Sequence, residues 1–547
     1  MKMLRKKMVL IMVYVLIVST MMLTACSSQQ EVKSSEGEVT NEVTNEVTNK
    51  EELILAIGSE PDDGFDPING WGRYGSPLFH STLLTRDGNF NIVYDLATEY
   101  EVSDDGLVWT VYLRDDVKFS DGEDLTAEDI VYTFNTTAAS GSVVDLNIME
   151  KVEVVGEYTV VFTLKQPQST FIHTLATTGI VPKHAHDDNY AENPIGSGPF
   201  KFVQWDQGQQ LIVEVNPMYY GEKPGFKKLT FLFLGEDGAF AAARAGQVDL
   251  AAIPASFAKQ EVSGMKLVNI ESVDNRGILF PYVPAGGTTE EGFAVGNDVT
   301  ADRAIRQAIN IGLDRNALVD GILEGFGTPA YSVSDGMPWW NADTVVEDGN
   351  IEKAKEILAD GGWEDINGDG ILQKGDLKAE FTMIYPASDQ IRQSLAIVTA
   401  DMMKPLGIHA ILEGKSWDDI QKMMYSNAVL FGWGSYDPLE MYNLYSSETA
   451  GQGWYNTGFY GTPTVDAYME QALRATSEEE AITYWKKAQW DGTTGFSAKG
   501  DAPWAWLVNL DHLYLVSENL DIGTPKIQPH GHGWPLTDNI IEWQWKE

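Results

Sequence analysis

Two of the eight histidines in this chain stand one glycine apart in IQPHGHGWPL, residues 527–536. On a strand, His530 and His532 point both rings to one face, because side chains alternate with period two, and paired imidazoles suit nickel, copper or zinc. Pro529, Gly531 and Gly533 let the backbone approach a ligand closely, and Trp534 shares the histidines' face if the strand persists that far. A second constellation is DINGDGILQKGD, residues 365–376. Asp365, Asn367, Asp369, the carbonyl of Ile371, Gln373 and Asp376 take the ligand positions of a calcium loop of the EF-hand kind, with Gly370 at its sharp turn. Oxygen donors suit Ca2+ as a structural ion, although Asp376 is shorter than the bidentate Glu usual at the last position. The competing reading is a polar turn between a helix ending near Asp360 and the strand AEFTMIYP.

Catalytic signatures are absent from the sequence. It has neither a His-Glu-x-x-His zinc helix nor a Gly-x-Ser-x-Gly nucleophile elbow, and the GKS in HAILEGKS lacks the upstream glycine of a phosphate loop. Adjacent acids such as Asp104 and Asp105 are expected by chance among 80 acidic residues. A secreted hydrolase acting on peptides or glycans is therefore a minor reading of this sequence, as is an adhesive lipoprotein, and no enzyme is expected.

The N-terminal MKMLRKKMVLIMVYVLIVSTMMLTAC has four basic residues, then an apolar run, then small residues, which is the layout of an export signal. The run is short for a membrane span, and LTAC resembles a lipobox, whose cysteine, here Cys26, is lipidated and becomes the first mature residue. Cys26 is the only cysteine in 547 residues, so no intrachain disulfide can form. Residues 27–50 repeat EVTN three times and hold almost no large apolar side chains, so they read as a disordered tether reaching roughly 25–30 Å. Beyond it, close to 500 residues exceed one hydrophobic core. A formal charge of −42 argues against nucleic acid as a partner.

Strands and helices alternate along the remainder. LVWTVYL, residues 107–113, reads as a half-buried strand; Thr126 with Asp129, and Ser477 with Glu480, read as helix N-terminal capping pairs; IEKAKEILA stops at Gly361. Four stretches then carry a resemblance: WTVYLRDDVKFSDGEDLTAEDIVYTFN at 109–135, NPIGSGPFKFVQWDQGQQLIVEVNPMYYGEKP at 193–224, ARAGQVDLAAIP at 243–254 and ADRAIRQAINIGLDRNALVDGILEGFGTPA at 301–330. Together they resemble the peptide and nickel branch of the extracellular solute-binding proteins, family 5, the receptors of ABC importers.

The resemblance implies an α/β, two-lobed clamshell of the periplasmic-binding-protein kind, with a discontinuous first lobe and a third, inserted small domain. On this layout residues 1–25 are the lipoprotein signal and 26–51 the lipidated cysteine and tether. The first lobe takes 52–85, 191–283 and 506–547, the small domain 86–190, and the opposite lobe 284–505. It further implies a short peptide or a nickel or other metal chelate as ligand, ABC permease subunits as partners, a monomer, and attachment by lipid to the outer face of the cell membrane. Tyr74, Trp433, Tyr436, Asp437, His530, His532 and Trp534 are the expected ligand contacts, with His532 favoured by family position. The loop FGWGSYDPLEMYNLYSS is closer in form to nickel-chelate receptors than to dipeptide receptors. Two nickel-receptor features are missing, an arginine in FIHTLATTGIVPKH and a histidine after the YDP loop, so peptide and chelate both stay open.

Overall fold

The computed structural model describes residues 50–546 apart from 76, 77, 532 and 533. The export segment, Cys26, most of the tether and His532 therefore lie outside the described residues.

Three larger sheets carry the architecture among the described residues. A seven-stranded sheet runs in the order Met265–Ile270, His512–Ser517, Leu250–Ile253, Glu52–Ala56, Lys228–Leu232, Gln210–Val215, Phe200–Asp206, so it draws on the start, middle and end of the chain. Glu52–Ala56 pairs in parallel with both its neighbours and the other pairings are antiparallel. A six-stranded sheet follows the order Gly327–Pro329, Trp504–Leu510, Asn275–Leu279, Ala428–Phe431, Glu380–Pro386, His409–Lys415. A four-stranded antiparallel sheet, Ala97–Val102, Val108–Leu113, Thr159–Leu164 and Met149–Gly156, packs the helix Ala127–Ser140 through Phe134 against Phe162.

Local sequence chemistry accounts for these elements. Val108–Leu113 alternates buried and half-buried residues, as its period-two pattern requires. Thr126 caps Ala127–Ser140 in a full capping box with Asp129, and the Ser477 hydroxyl accepts the Glu480 N–H at the start of Glu478–Gln489.

The two large sheets are joined where neighbouring strands cross from one to the other. Met265–Ile270 passes through residues 271–274 into Asn275–Leu279, and Trp504–Leu510 passes through Asp511 alone into His512–Ser517. The two crossings are tied together by Ser272, whose hydroxyl donates to the carbonyl of Leu510. Gln528 lies alongside, forming a parallel bridge with Ser272 and accepting the N–H of Val273 at 2.9 Å. Beyond Gln528 the expected strand does not persist. Gly531 has φ +77°, which breaks any extended run, and Trp534–Glu542 winds into 3-10 turns.

Candidate functional site

A cavity of about 450 Å³ opens beside these crossings. Its walls come from Arg73 and Tyr74 near the seven-stranded sheet, from His173 and Thr174 of the helix Phe171–Leu175, and from the segment 431–440 that follows the six-stranded sheet's Ala428–Phe431. His530 closes the side towards the crossings.

The segment 431–440 is held against the crossings by its backbone. Trp433 accepts the Asn275 N–H at 2.9 Å through its carbonyl, and the Trp433 N–H donates to the Asn275 side chain at 3.1 Å. Gly434 has φ +145°, and a Cβ there would stand 2.1 Å from the carbonyl oxygen of Val273, so only glycine allows this approach. The carbonyl of Gly434 in turn accepts the His530 N–H at 2.8 Å. One carboxyl group stabilises the turn from inside: Glu440 accepts the N–H groups of Gly434 and Ser435 at 3.2 and 3.1 Å. Burial nonetheless pushes the Glu440 pKa up to about 8, against those hydrogen bonds. Asp437 is pushed up to about 6 by burial, opposed by the Leu439 N–H and by Arg86.

Asp274, with none of its side chain exposed, is the centre of the charged network behind the cavity. Arg276 and His530 both reach its Oδ1, His530 through Nδ1 at 2.5 Å, and His512 Nε2 lies 3.4 Å from its Oδ2. Burial alone would raise the Asp274 pKa, but Arg276 and then His530 hold it well below the ordinary aspartate range. With Nδ1 committed to a carboxylate, His530 keeps Nε2 for the cavity, the orientation that carboxylate–histidine pairs give to metal ligands.

Arg86 ends the strand Leu84–Arg86 and lines the same cavity. Its Nη2 donates to His173 Nδ1 at 2.8 Å and to the Tyr436 carbonyl at 3.3 Å, and its guanidinium lies 5.7 Å from the Tyr436 ring centroid. Burial draws its pKa down, partly offset by Asp437, Tyr436 and Asp538 acting from a distance, and no carboxylate among the described residues stands within ion-pairing range. Arg86 thus brings an arginine against His173, a histidine of the stretch 171–184. Arg392 faces the cavity from the other end, bound to Asp389, 5.7 Å from the Trp417 ring centroid, with its Nε lacking a hydrogen-bond partner.

Tyr74, Trp433, Tyr436, Asp437 and His530 all line this cavity. The Tyr436 hydroxyl, however, donates to the Ile527 carbonyl, which leaves its ring as the cavity surface. Trp433 pairs with Tyr455 at 5.6 Å, and its indole N–H is buried without a hydrogen-bond partner among the described residues. Trp534 is not brought to the group. It packs on Phe231 at 4.7 Å and Trp71 at 5.1 Å and donates to the Ser59 carbonyl, because the 3-10 turns rotate it into the core of the seven-stranded sheet. Arg73, Arg86, His173, Asp274, Arg392 and Glu440 escaped sequence reasoning. One signal was present: Asp274 and Arg276, two apart on an extended segment, share a face.

The loop expected to hold calcium is ordered by its own side-chain to backbone hydrogen bonds. Asp365 accepts the N–H groups of Gly368 and Gly370, Asn367 that of Asp369, and Asp369 that of Ile371, while the Lys378 ammonium sits on the Asp369 carboxylate at 3.0 Å. Gln373 is drawn into a bridge with Glu364 and a two-residue strand paired with Leu377–Lys378, with Asp376 in the turn. Among the described residues no group of three or more His, Cys, Asp or Glu side chains is arranged to hold a metal ion.

Comparison with known proteins places this geometry in context. Residues 91–455 match the bacterial extracellular solute-binding proteins, family 5 middle region. The chain is 32% identical to Protein XP55 of Streptomyces lividans over 87% of each. It is 27% identical to the oligopeptide-binding protein AppA of Bacillus subtilis, over 94% of this chain and 96% of that one, and the AppA structure with a nonapeptide superposes with a TM-score of 0.68. NikZ from Campylobacter jejuni, solved with Ni(L-His), is 25% identical and superposes with a TM-score of 0.74 over 90% of this chain and 99% of its own.

Proposed function

The chain belongs to the bacterial extracellular solute-binding proteins of family 5, and from this we propose that it is the substrate-binding subunit of an ABC importer, a binding protein with no catalytic step. It captures a compact ligand bearing carboxylates, a short peptide or a metal chelate, by closing its lobes around it, and hands it to a permease. Closure works because contacts to both walls exist together only in the closed state, so binding shifts the open–closed equilibrium by the difference in affinity. We place the lobe boundaries at the two crossings, residues 271–274 and Asp511, with the four-stranded sheet as the small domain. Lipidation at Cys26 tethers the protein to the outer face of the cell membrane.

The observation that carries the ligand class is Arg86. A part-buried guanidinium without a carboxylate partner is costly unless something anionic completes it, and its cavity also holds Arg73 and Arg392. A volume of about 450 Å³ falls within the usual 300–1,000 Å³ of small-molecule pockets. The chelate reading is favoured by one further observation, the Asp274-oriented imidazole of His530, with His532 two residues on.

Native mass spectrometry and metal analysis of protein purified without a polyhistidine tag test both readings. A metal mass lost in His530→Ala and His532→Ala identifies a chelate receptor; a peptide mass without metal identifies a peptide receptor. Ligand-free protein that binds neither short peptides nor nickel–histidine overturns the proposal.

A further inference from the structure

Arg86 is held by groups that carry no charge. Its Nη2 donates to His173 Nδ1 at 2.8 Å and to the Tyr436 carbonyl at 3.3 Å. A guanidinium only donates, so Nδ1 accepts, which puts the ring proton on Nε2 and leaves His173 neutral. Burial and then the Arg86 charge hold the His173 pKa well below the ordinary histidine value, in keeping with that assignment. The two acids that act on Arg86 from a distance are engaged elsewhere. Asp437 accepts the Leu439 N–H at 2.8 Å, and Asp538 is ion-paired with the Lys526 ammonium, which also donates to the Arg86 carbonyl.

The buried arginines of the chain are treated differently. Arg276, Arg315 and Arg392 are each ion-paired with an aspartate, respectively Asp274, Asp348 and Asp389. Arg306 is held by backbone carbonyls, but all three of its guanidinium nitrogens are bonded. On Arg86 only Nη2 is engaged, and Nε and Nη1 carry no hydrogen bond among the described residues, on a side chain that lines the cavity. An aspartate in place of His173 would orient the guanidinium equally well and cancel much of its charge. A neutral imidazole orients it and leaves the charge for an anion in the cavity.

Resting on the reading of Arg86 as the group that meets the ligand's carboxylate, we propose that His173 is its positioning residue: the imidazole fixes the guanidinium as an uncharged acceptor, and that neutrality makes the site select anionic groups. His173 is itself fixed from behind. Its ring lies 5.9 Å from Trp339, and the chain just before its helix is tied down by Ser169, whose N–H donates to the Leu473 carbonyl at 2.7 Å and whose hydroxyl donates to the Ala472 carbonyl at 2.9 Å. A recognition group held by rigid neighbours loses less freedom when the ligand arrives.

The test is calorimetry of the full-length protein with alanyl-alanine and nickel–L-histidine as probes. His173→Asn, which places an uncharged acceptor where Nδ1 stands, should bind within about threefold of wild type. His173→Asp, of the same shape but charged, should weaken binding about tenfold or more. His173→Phe, which keeps a ring against Trp339 and removes the acceptor, should also weaken it about tenfold, and His173→Leu replaces it if the Phe variant fails to fold. Added to Arg86→Met, His173→Phe should change the affinity by less than about twofold, because a residue that acts through the guanidinium then has nothing to position. Wild-type affinity in His173→Phe or His173→Asp, no recovery in His173→Asn, or an equal loss from His173→Phe with and without Arg86→Met overturns the inference and leaves Arg86 as a ligand contact. Arg86→Met without effect, or a wild type that binds neither probe, overturns the reading of Arg86 and the inference with it.

Discussion

His530 Nδ1 lies 2.5 Å from Asp274 Oδ1, joining the C-terminal segment to a crossing between the two large sheets through a carboxylate that also holds Arg276. Removing that carboxylate leaves a buried guanidinium uncompensated, which costs about 3–5 kcal/mol. Asp274→Asn should therefore lower the urea midpoint at pH 7 sharply. The folded pKa of Asp274 is depressed, so its contribution is present above the ordinary value of 3.8 and lost as pH falls below it. The gap between wild type and variant should begin to narrow below about pH 3.8 and go on narrowing as pH falls towards the depressed folded value; a constant gap across pH would refute the electrostatic account.

Glu440 has the opposite sign. A carboxyl group whose folded pKa is raised to about 8 binds a proton in the folded state that the unfolded chain gives up above 4.5, so it makes stability fall as pH rises between those values. Glu440→Gln should flatten that slope, leaving stability similar at pH 5 and higher than wild type at pH 8.5. Parallel pH profiles would count against it.

Arg86→Met should retain the fold, since the guanidinium has no ion-pair partner to strand. Affinity for the carboxylate-bearing ligand identified by mass spectrometry should fall by about 2–5 kcal/mol, roughly 30-fold or more, in calorimetry. An unchanged Kd would remove Arg86 from the ligand's surroundings.

Gly434→Ala combines a left-handed φ with a Cβ placed 2.1 Å from the Val273 carbonyl oxygen. A loss of about 4 kcal/mol or more is expected in chemical denaturation. A loss below 1 kcal/mol would mean that the segment shifts freely away from the crossing.

Calcium should leave the Tm where it stands in chelator, because the Lys378 ammonium already neutralises Asp369 and the other loop oxygens accept backbone N–H groups. A calcium-dependent rise in Tm, mirrored by Lys378→Met, would show that the lysine yields to the ion.

Local signals were legible because they act within a few residues: the capping box at Thr126 and Asp129, the alternation over 108–113, the stop after Asp360. The segment 431–440 and His530 were also legible, through motif resemblance. Arg86 on His173 and Asp274 on His530 were not, since each pair joins elements brought together only by the completed topology. Trp534 misled for a definite reason: period-two reasoning assumes a strand, and Gly531 at φ +77° ends it three residues earlier.

The order of strands carries a consequence for how the molecule assembles in time. In the seven-stranded sheet His512–Ser517 sits between Met265–Ile270 and Leu250–Ile253, and in the six-stranded sheet Trp504–Leu510 sits between Gly327–Pro329 and Asn275–Leu279. Neither sheet can be completed before residues 504–517 of the 547-residue chain have been synthesised, because these last two long strands fill an interior position, one in each sheet. Pairings such as Ala251 with Leu515 and Arg276 with Val508 make the contact order high, and high contact order slows folding. Both large sheets therefore close late and together, and a chain cut short before Trp504 leaves a gap one strand in from the edge of each, with unpaired edges open to aggregation.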